Sequence, residues 1–122
     1  MEWNIADDRP IWIQLSEQLT AQIASGMYQP GQRLPSVREF AADAGVNPNT
    51  MQRALADLEG KGLILTNRTA GRSVTQDMEV IKQLRTNQAM DKVRQFLSQM
   101  RELGYTKEEI GIVLTQALKE EM

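Results

Sequence analysis

Residues 35–62 read PSVREFAADAGVNPNTMQRALADLEGKG, two short helical patterns separated by a glycine-centred turn. Ser36 and Glu39 have capping-box spacing: the serine oxygen accepts from the Glu39 backbone amide, and the glutamate side chain reaches back. The first helix therefore starts at Ser36 and turns Val37, Phe40 and Ala41 inward. Gly45 supplies the backbone freedom that a tight turn between two helices requires. Asn47 then reads as an N-cap with Pro48 at the first helical position. Met51, Ala54, Leu55 and Leu58 recur at i, i+3, i+4 and i+7, which gives a second helix from Pro48 to about Glu59 a buried face. Asn49, Gln52 and Arg53 are left facing out. The pattern is a helix-turn-helix, and it predicts DNA binding.

On the upstream side Ile11, Leu15, Leu19 and Ile23 fall in a four-residue rhythm that predicts a helix. Pro10 suits its first turn, Gly26 its end, and Pro30-Gly31 a bend before the next helix. Downstream, Leu63 to Thr66 and Ser73-Val74-Thr75 flank the polar stretch Asn67 to Arg72, which predicts a β-hairpin, the wing of a winged helix. A longer helix is expected over Met78 to Leu103, with Ile81, Leu84, Val93, Phe96, Leu97, Met100 and Leu103 near one stripe and Gly104 at its end. Thr106 and Glu109 repeat the capping-box spacing ahead of Ile110, Val113, Leu114, Ala117 and Leu118. The expected fold is mainly α with a small β-hairpin. A winged helix-turn-helix DNA-binding domain occupies residues 1–76, and a two-helix dimerisation tail occupies residues 77–122.

Composition narrows the chemistry. The chain of 122 residues, 41% hydrophobic, contains no cysteine and no histidine, so it has no thiolate site, no disulfide framework and no imidazole base or ligand. We expect no enzyme activity, no metal and no cofactor. The acidic pairs Asp7-Asp8, Glu108-Glu109 and Glu120-Glu121 read as solvated charge in preference to metal ligands or acid-base pairs. The N-terminal MEWNIADDRP lacks the basic start and apolar run of a signal peptide. No apolar stretch approaches the roughly 18 residues needed to span a bilayer, so a soluble cytoplasmic protein is expected, with no membrane partner. The net charge of −2 does not favour DNA. Locally, residues 30–72 hold six basic side chains (Arg33, Arg38, Arg53, Lys61, Arg68, Arg72) against four acidic ones (Glu39, Asp43, Asp57, Glu59).

Pro10-Ile11-Trp12, the stretch GMYQPGQRLP from Gly26 to Pro35, SVREFA, GVNPNT, RALADLE and GLI together resemble the GntR family of bacterial transcription regulators. The short tail is similar to that of the YtrA subfamily, whose members lack a large effector-binding domain. The resemblance implies a dimeric repressor. It also carries the family's DNA contacts onto Arg38, onto Asn47, Asn49 and Thr50 at the start of the recognition helix, and onto the wing tip from Thr69 to Arg72, where Gly71 enters the minor groove. Several members have arginine where this chain has Gln52, followed here by Arg53, so their base preference does not transfer.

In chemical terms, asparagine and glutamine pair bidentately with adenine and arginine with guanine, each pair worth about 1–3 kcal/mol of discrimination. Asn49, Thr50, Gln52 and Arg53 are the expected base readers, and the positive end of their helix, with its backbone amides, is expected to attract a phosphate. Arg38 reaches either a base edge or a phosphate; Arg68 and Arg72 suit the backbone or the minor groove. The competing assignment for Arg38 and Arg53 is a solvated arginine paired with Glu39 or Asp57, and for Asn47 a capping role alone.

The tail's stripe is core in its plain reading. Two helices on so small a domain carry more apolar surface than they can hide, which favours pairing through Val93, Phe96, Leu97, Met100, Ile110, Val113, Leu114 and Leu118. The expected partners are thus a second copy and a near-palindromic double-stranded operator read at half-sites about 34 Å apart. A small-molecule effector, if one acts, has only a cleft at the dimer interface to occupy. A protein-interaction adaptor built on the same scaffold is the alternative, motivated by the acidic net charge.

Overall fold

The computed structural model describes residues 1–121. In chain order the elements are α1 (Ile11–Ser25), α2 (Val37–Ala44), α3 (Pro48–Gly60), β1 (Ile64–Asn67), β2 (Gly71–Val74), α4 (Met78–Glu102) and α5 (Lys107–Glu121). The mainly α architecture with one antiparallel hairpin is the one expected. The chain forms two compact units, Met1–Arg85 and the residues from Thr86 onward, with the division falling inside α4.

In the first unit the helix ends follow local chemistry. The Ser36 hydroxyl accepts from the Glu39 amide at 3.1 Å, and the Glu39 carboxylate accepts from the Ser36 amide at 3.3 Å, a complete capping box on α2. Gly45 ends α2 at φ 69°, a left-handed conformation that costs a side-chain-bearing residue about 1–2 kcal/mol. Asn47 caps α3 and Pro48 opens it.

α1 departs from its expected details. Pro10 is the N-cap rather than a first-turn residue, and Ile11 is 43% exposed while Leu15, Leu19 and Ile23 are buried. A four-residue spacing drifts about 40° per step on a helix of 3.6 residues per turn, so Ile11 has rotated about 120° from Ile23. Polar side chains take up part of the buried surface. Gln14, 2% exposed, accepts from the Ala6 amide at 2.7 Å and donates to the carbonyls of Ala6 and Arg9, pinning the N-terminal segment. Gln18 holds both backbone groups of Asn4 in the same way.

The core joins Leu15, Leu19 and Ile23 of α1 to Phe40 and Ala41 of α2 and to Met51, Ala54, Leu55 and Leu58 of α3. Leu34, Leu63, Ile64 and Val74 close it beside the hairpin. Each large apolar side chain buried here contributes about 1.5–3 kcal/mol, more than any one cap, so packing decides the fold and the caps decide where elements end. Trp3 and Tyr28 meet the Phe40 ring edge-on at 6.1 and 6.2 Å.

The hairpin pairs Ile64 with Val74, Leu65 with Ser73, Thr66 with Arg72 and Asn67 with Gly71. Its strands extend into the polar stretch expected as turn, leaving only residues 68–70 at the tip. The segment before α2 lies along the other edge of β2: the Leu34 amide donates to the Arg72 carbonyl and the Val74 amide to the Gln32 carbonyl, both at 2.9 Å. Arg33 therefore sits opposite Ser73 at the sheet edge. The first turns of α4 complete this unit, with Ile81 buried and Val80 and Leu84 against the core.

The second unit holds the rest of α4, a turn at Gly104 and α5. Thr106 and Glu109 form the expected box, the Thr106 amide donating to the carboxylate at 3.0 Å and the Glu109 amide to the hydroxyl at 3.2 Å. Ile110 is the one buried apolar side chain among this unit's described residues.

Candidate nucleic-acid interface

The N-terminus of α3 is capped from within. The Asn47 side-chain oxygen accepts from the Asn49 amide at 2.8 Å, and its carbonyl accepts from the Thr50 and Met51 amides at 3.0 and 3.1 Å. The first-turn amides expected to attract a phosphate are thus engaged by Asn47. Asn49, Gln52 and Arg53 lie exposed along the outer face and Thr50 is half-buried.

A polar network ties that face to the hairpin. Arg72 Nε donates to Glu59 Oε1 at 2.7 Å, Thr66 Oγ1 donates to the same oxygen at 2.6 Å, and Arg72 Nη2 donates to Gln52 Oε1 at 3.2 Å. The Thr66 hydroxyl first, and then the Arg72 guanidinium, hold the Glu59 carboxyl below the ordinary glutamate range. Arg72 was expected at the wing tip. It lies instead within β2, with its side chain 19% exposed.

The tip is built by Asn67, whose side-chain oxygen accepts from the Thr69 amide and hydroxyl at 2.9 Å and from the Ala70 amide at 3.2 Å. The polar groups of Thr69 are thus engaged in the turn, while Arg68 is exposed at its apex. Gly71 begins β2 at φ 78°. A Cβ there would meet only the Arg33 guanidinium at an ordinary 3.8 Å, so the backbone conformation, not lack of room, calls for glycine.

Arg53 pairs with neither Asp57 nor Glu39. Its guanidinium lies over the Trp12 ring of α1, 4.3 Å from the centroid, while Asp57 accepts from Ser16 at 2.6 Å and from Lys61 at 2.9 Å. The Ser16 hydroxyl first, with Lys61, holds the Asp57 carboxyl below its usual range. Arg38 is exposed on α2. Among the described residues Arg33, Arg38, Arg53 and Arg68 have no carboxylate within ion-pair distance, whereas Lys61 and Arg72 do. A cleft of about 760 Å³ opens between the hairpin and the start of α2, and Arg33, Arg38, Thr66, Gly71 and Arg72 all line it.

The fold brings Gln52 into contact with Arg72 and gathers Arg38, Gly71 and Arg72 around one cleft; it sets Arg53 apart on Trp12. Four contributors were not singled out from the sequence. Arg33 reaches the cleft through an edge pairing that no local pattern announces. Trp12, Glu59 and Asn67 act on other residues; of these only Asn67 carried a local signal, an asparagine opening a turn. Among the described residues no group of three or more Asp and Glu side chains could hold a metal ion, and no helix is long and apolar enough to cross a membrane.

An outward-facing recognition helix, a three-helix core and an arginine-bearing hairpin define a winged helix-turn-helix DNA-binding unit. The model of the bacterial regulatory proteins of the gntR family matches residues 13–74, and the chain belongs to that family, with YtrA proteins among its relatives. The chain is 34% identical to the HTH-type transcriptional regulator YhcF of Bacillus subtilis over 110 residues, 90% of this chain and 91% of that one. It is 38% identical to the HTH-type transcriptional repressor YtrA of the same organism over 68 residues, 56% of this chain and 52% of that one. Among solved structures, a GntR family transcriptional regulator from Listeria monocytogenes superposes with a TM-score of 0.83 at 38% identity, covering 92% of this chain and 98% of that one. The AraR DNA-binding domain in complex with operator ORX1 superposes with a TM-score of 0.54 at 25% identity, covering 62% and 92% respectively. The chain is a DNA-binding transcription regulator.

Proposed function

We propose that the protein is a homodimeric repressor that acts in the bacterial cytoplasm and reads a near-palindromic operator. Residues 1–76 bind DNA and residues 77–122 pair two copies; on this reading it is not an enzyme. The observation that carries the reading is the outer face of α3, joined to the wing through Gln52 and Arg72 and flanked by the exposed Arg33, Arg38, Arg53 and Arg68. Asn49 and Gln52 serve the groove, and Arg53 on Trp12 and the basic side chains around the cleft serve phosphates. The AraR domain bound to its operator supports this assignment, and the repressor YtrA supports the sign of regulation.

Pairing is supported by the second unit, where Val93, Val113, Leu114 and Leu118 are 39–58% exposed and Phe96, Leu97 and Met100 half-buried. An effector would sit between the two copies. A depression of about 600 Å³ runs along α5 past Gly111, Ile112 and Thr115, and one helix cannot enclose a ligand by itself.

The test is an electrophoretic mobility shift with a fragment of the protein's own promoter. We expect a specific shift whose affinity falls about a thousandfold between 50 and 200 mM salt, as neutralising about six phosphates requires. Equal affinity for random duplex would overturn the regulator reading and favour a protein-interaction adaptor.

A further inference from the structure

Gln52 stands where a free carboxamide would read adenine, accepting from N6 and donating to N7. It is not free. Arg72 Nη2 approaches Gln52 Oε1 at 3.2 Å, while Arg72 Nε is held on Glu59 at 2.7 Å and Glu59 is held in turn by Thr66 at 2.6 Å. A guanidinium has five N–H donors and no acceptor, so the carboxamide must turn its oxygen toward Arg72 and its NH₂ group away. The anchor is firm: Arg72 lies in β2 opposite Thr66, its side chain 19% exposed and its Nε tied to a charged partner. Charge-assisted hydrogen bonds of this kind are shorter and roughly twice as strong as neutral ones.

We propose that Arg72 is a positioning residue that sets the base preference of Gln52: with the amide oxygen drawn toward the wing, Gln52 presents its NH₂ group to DNA and selects guanine, not adenine. Guanine offers two acceptors, N7 and O6, on its major-groove edge, whereas adenine offers one acceptor and a donor that would face the Gln52 NH₂ group. The nearby guanidinium charge adds to the preference for the acceptor-rich edge. Wing and recognition helix thus form one composite reader: β2 supplies the cation and α3 the donors. The inference rests on the DNA-binding reading proposed above and identifies the base class that one of its contacts recognises.

The experiment is an in vitro selection from a randomised duplex library with the full chain, comparing wild type, Gln52→Ala, Arg72→Met and Arg72→Lys. In the wild type we expect one position per half-site to be guanine by about tenfold, and Gln52→Ala to lose selectivity at that position alone. Arg72→Met keeps the apolar stem but frees the amide oxygen, so the same position should shift toward adenine while the others keep their bases. Arg72→Lys, which restores a donor, should return guanine in part.

Retention of the other positions shows that a variant is folded, a readout that a merely structural role for Arg72 would not separate from the shift. Adenine at the Gln52-dependent position in the wild type, or guanine undiminished in Arg72→Met, overturns the inference and leaves the regulator reading intact. The first of these is decided by wild type and Gln52→Ala alone, should Arg72→Met fail to fold. A wild type that enriches no motif overturns the DNA reading itself, and the inference with it.

Discussion

The stacking of Arg53 on Trp12 changes what that arginine can do. An indole over a guanidinium face contributes about 0.5–1 kcal/mol at an exposed site and leaves the N–H donors at the guanidinium edge available. With its guanidinium 4.3 Å from a ring on α1, the charge is anchored beside the recognition helix rather than along its own face. That position suits a phosphate more than a base. We therefore expect Arg53→Ala to weaken binding to all duplexes by a similar factor and to lower the slope of log affinity against log salt by about one. Trp12→Leu, which removes the platform and keeps the charge, should give a smaller uniform loss. Titrations at several salt concentrations, on operator and on random duplex, measure both. A loss confined to operator, with the slope unchanged, would return Arg53 to base reading.

Among the elements, the joint between α3 and the hairpin gives the reading head its rigidity, and its chemistry carries a pH signature. Folding lowers the Glu59 pKa, through the Thr66 hydroxyl and then Arg72, below the ordinary glutamate value of 4.5. A group shifted in this direction stabilises the fold fully above its unfolded value, and the contribution disappears as pH falls through the folded value. Glu59→Gln should therefore lower the urea midpoint at pH 7, and the gap from wild type should close as the pH falls below 4.5. A gap that stays constant as the solution is acidified would mean that Glu59 acts by shape alone.

The joint also marks where the sequence becomes hard to read. Ser36, Gly45, Asn47 and Pro48 act within a few residues of themselves, so their caps and turns were legible, as was the buried face of α3. Glu59 reaches across 13 positions to Arg72, Ser16 across 41 to Asp57, and Trp3 across 40 to Asp43. No local pattern encodes such pairs, and Gln14 and Gln18 look in sequence like solvent-facing positions until the N-terminal segment lies over them.

At the scale of the whole molecule the two units differ in how completely they bury their apolar surface. The first encloses a core from Leu15 to Val74, while in the second Leu103, Ile112 and Leu118 are 72, 67 and 58% exposed and Ile110 alone, among its described residues, is buried. A stripe of this kind in sequence reads equally as core and as interface; only the folded chain separates Ile110 from Val113, Leu114 and Leu118. On the proposed reading a second copy covers this surface, and a symmetric operator would favour it, because two linked reading heads bind about 10²- to 10⁴-fold more tightly than one.

We expect sedimentation equilibrium at micromolar concentration to give twice the chain mass for the wild type and the chain mass for a Leu114→Asp, Leu118→Asp variant. Neither residue belongs to the core of the first unit, so that unit's thermal transition should survive in the variant. Affinity for a two-site duplex should then fall at least about a hundredfold, while affinity for an isolated half-site stays within a few fold of wild type. A monomeric wild type would end the dimer reading, and a variant that remains dimeric would move the interface away from this face of α5.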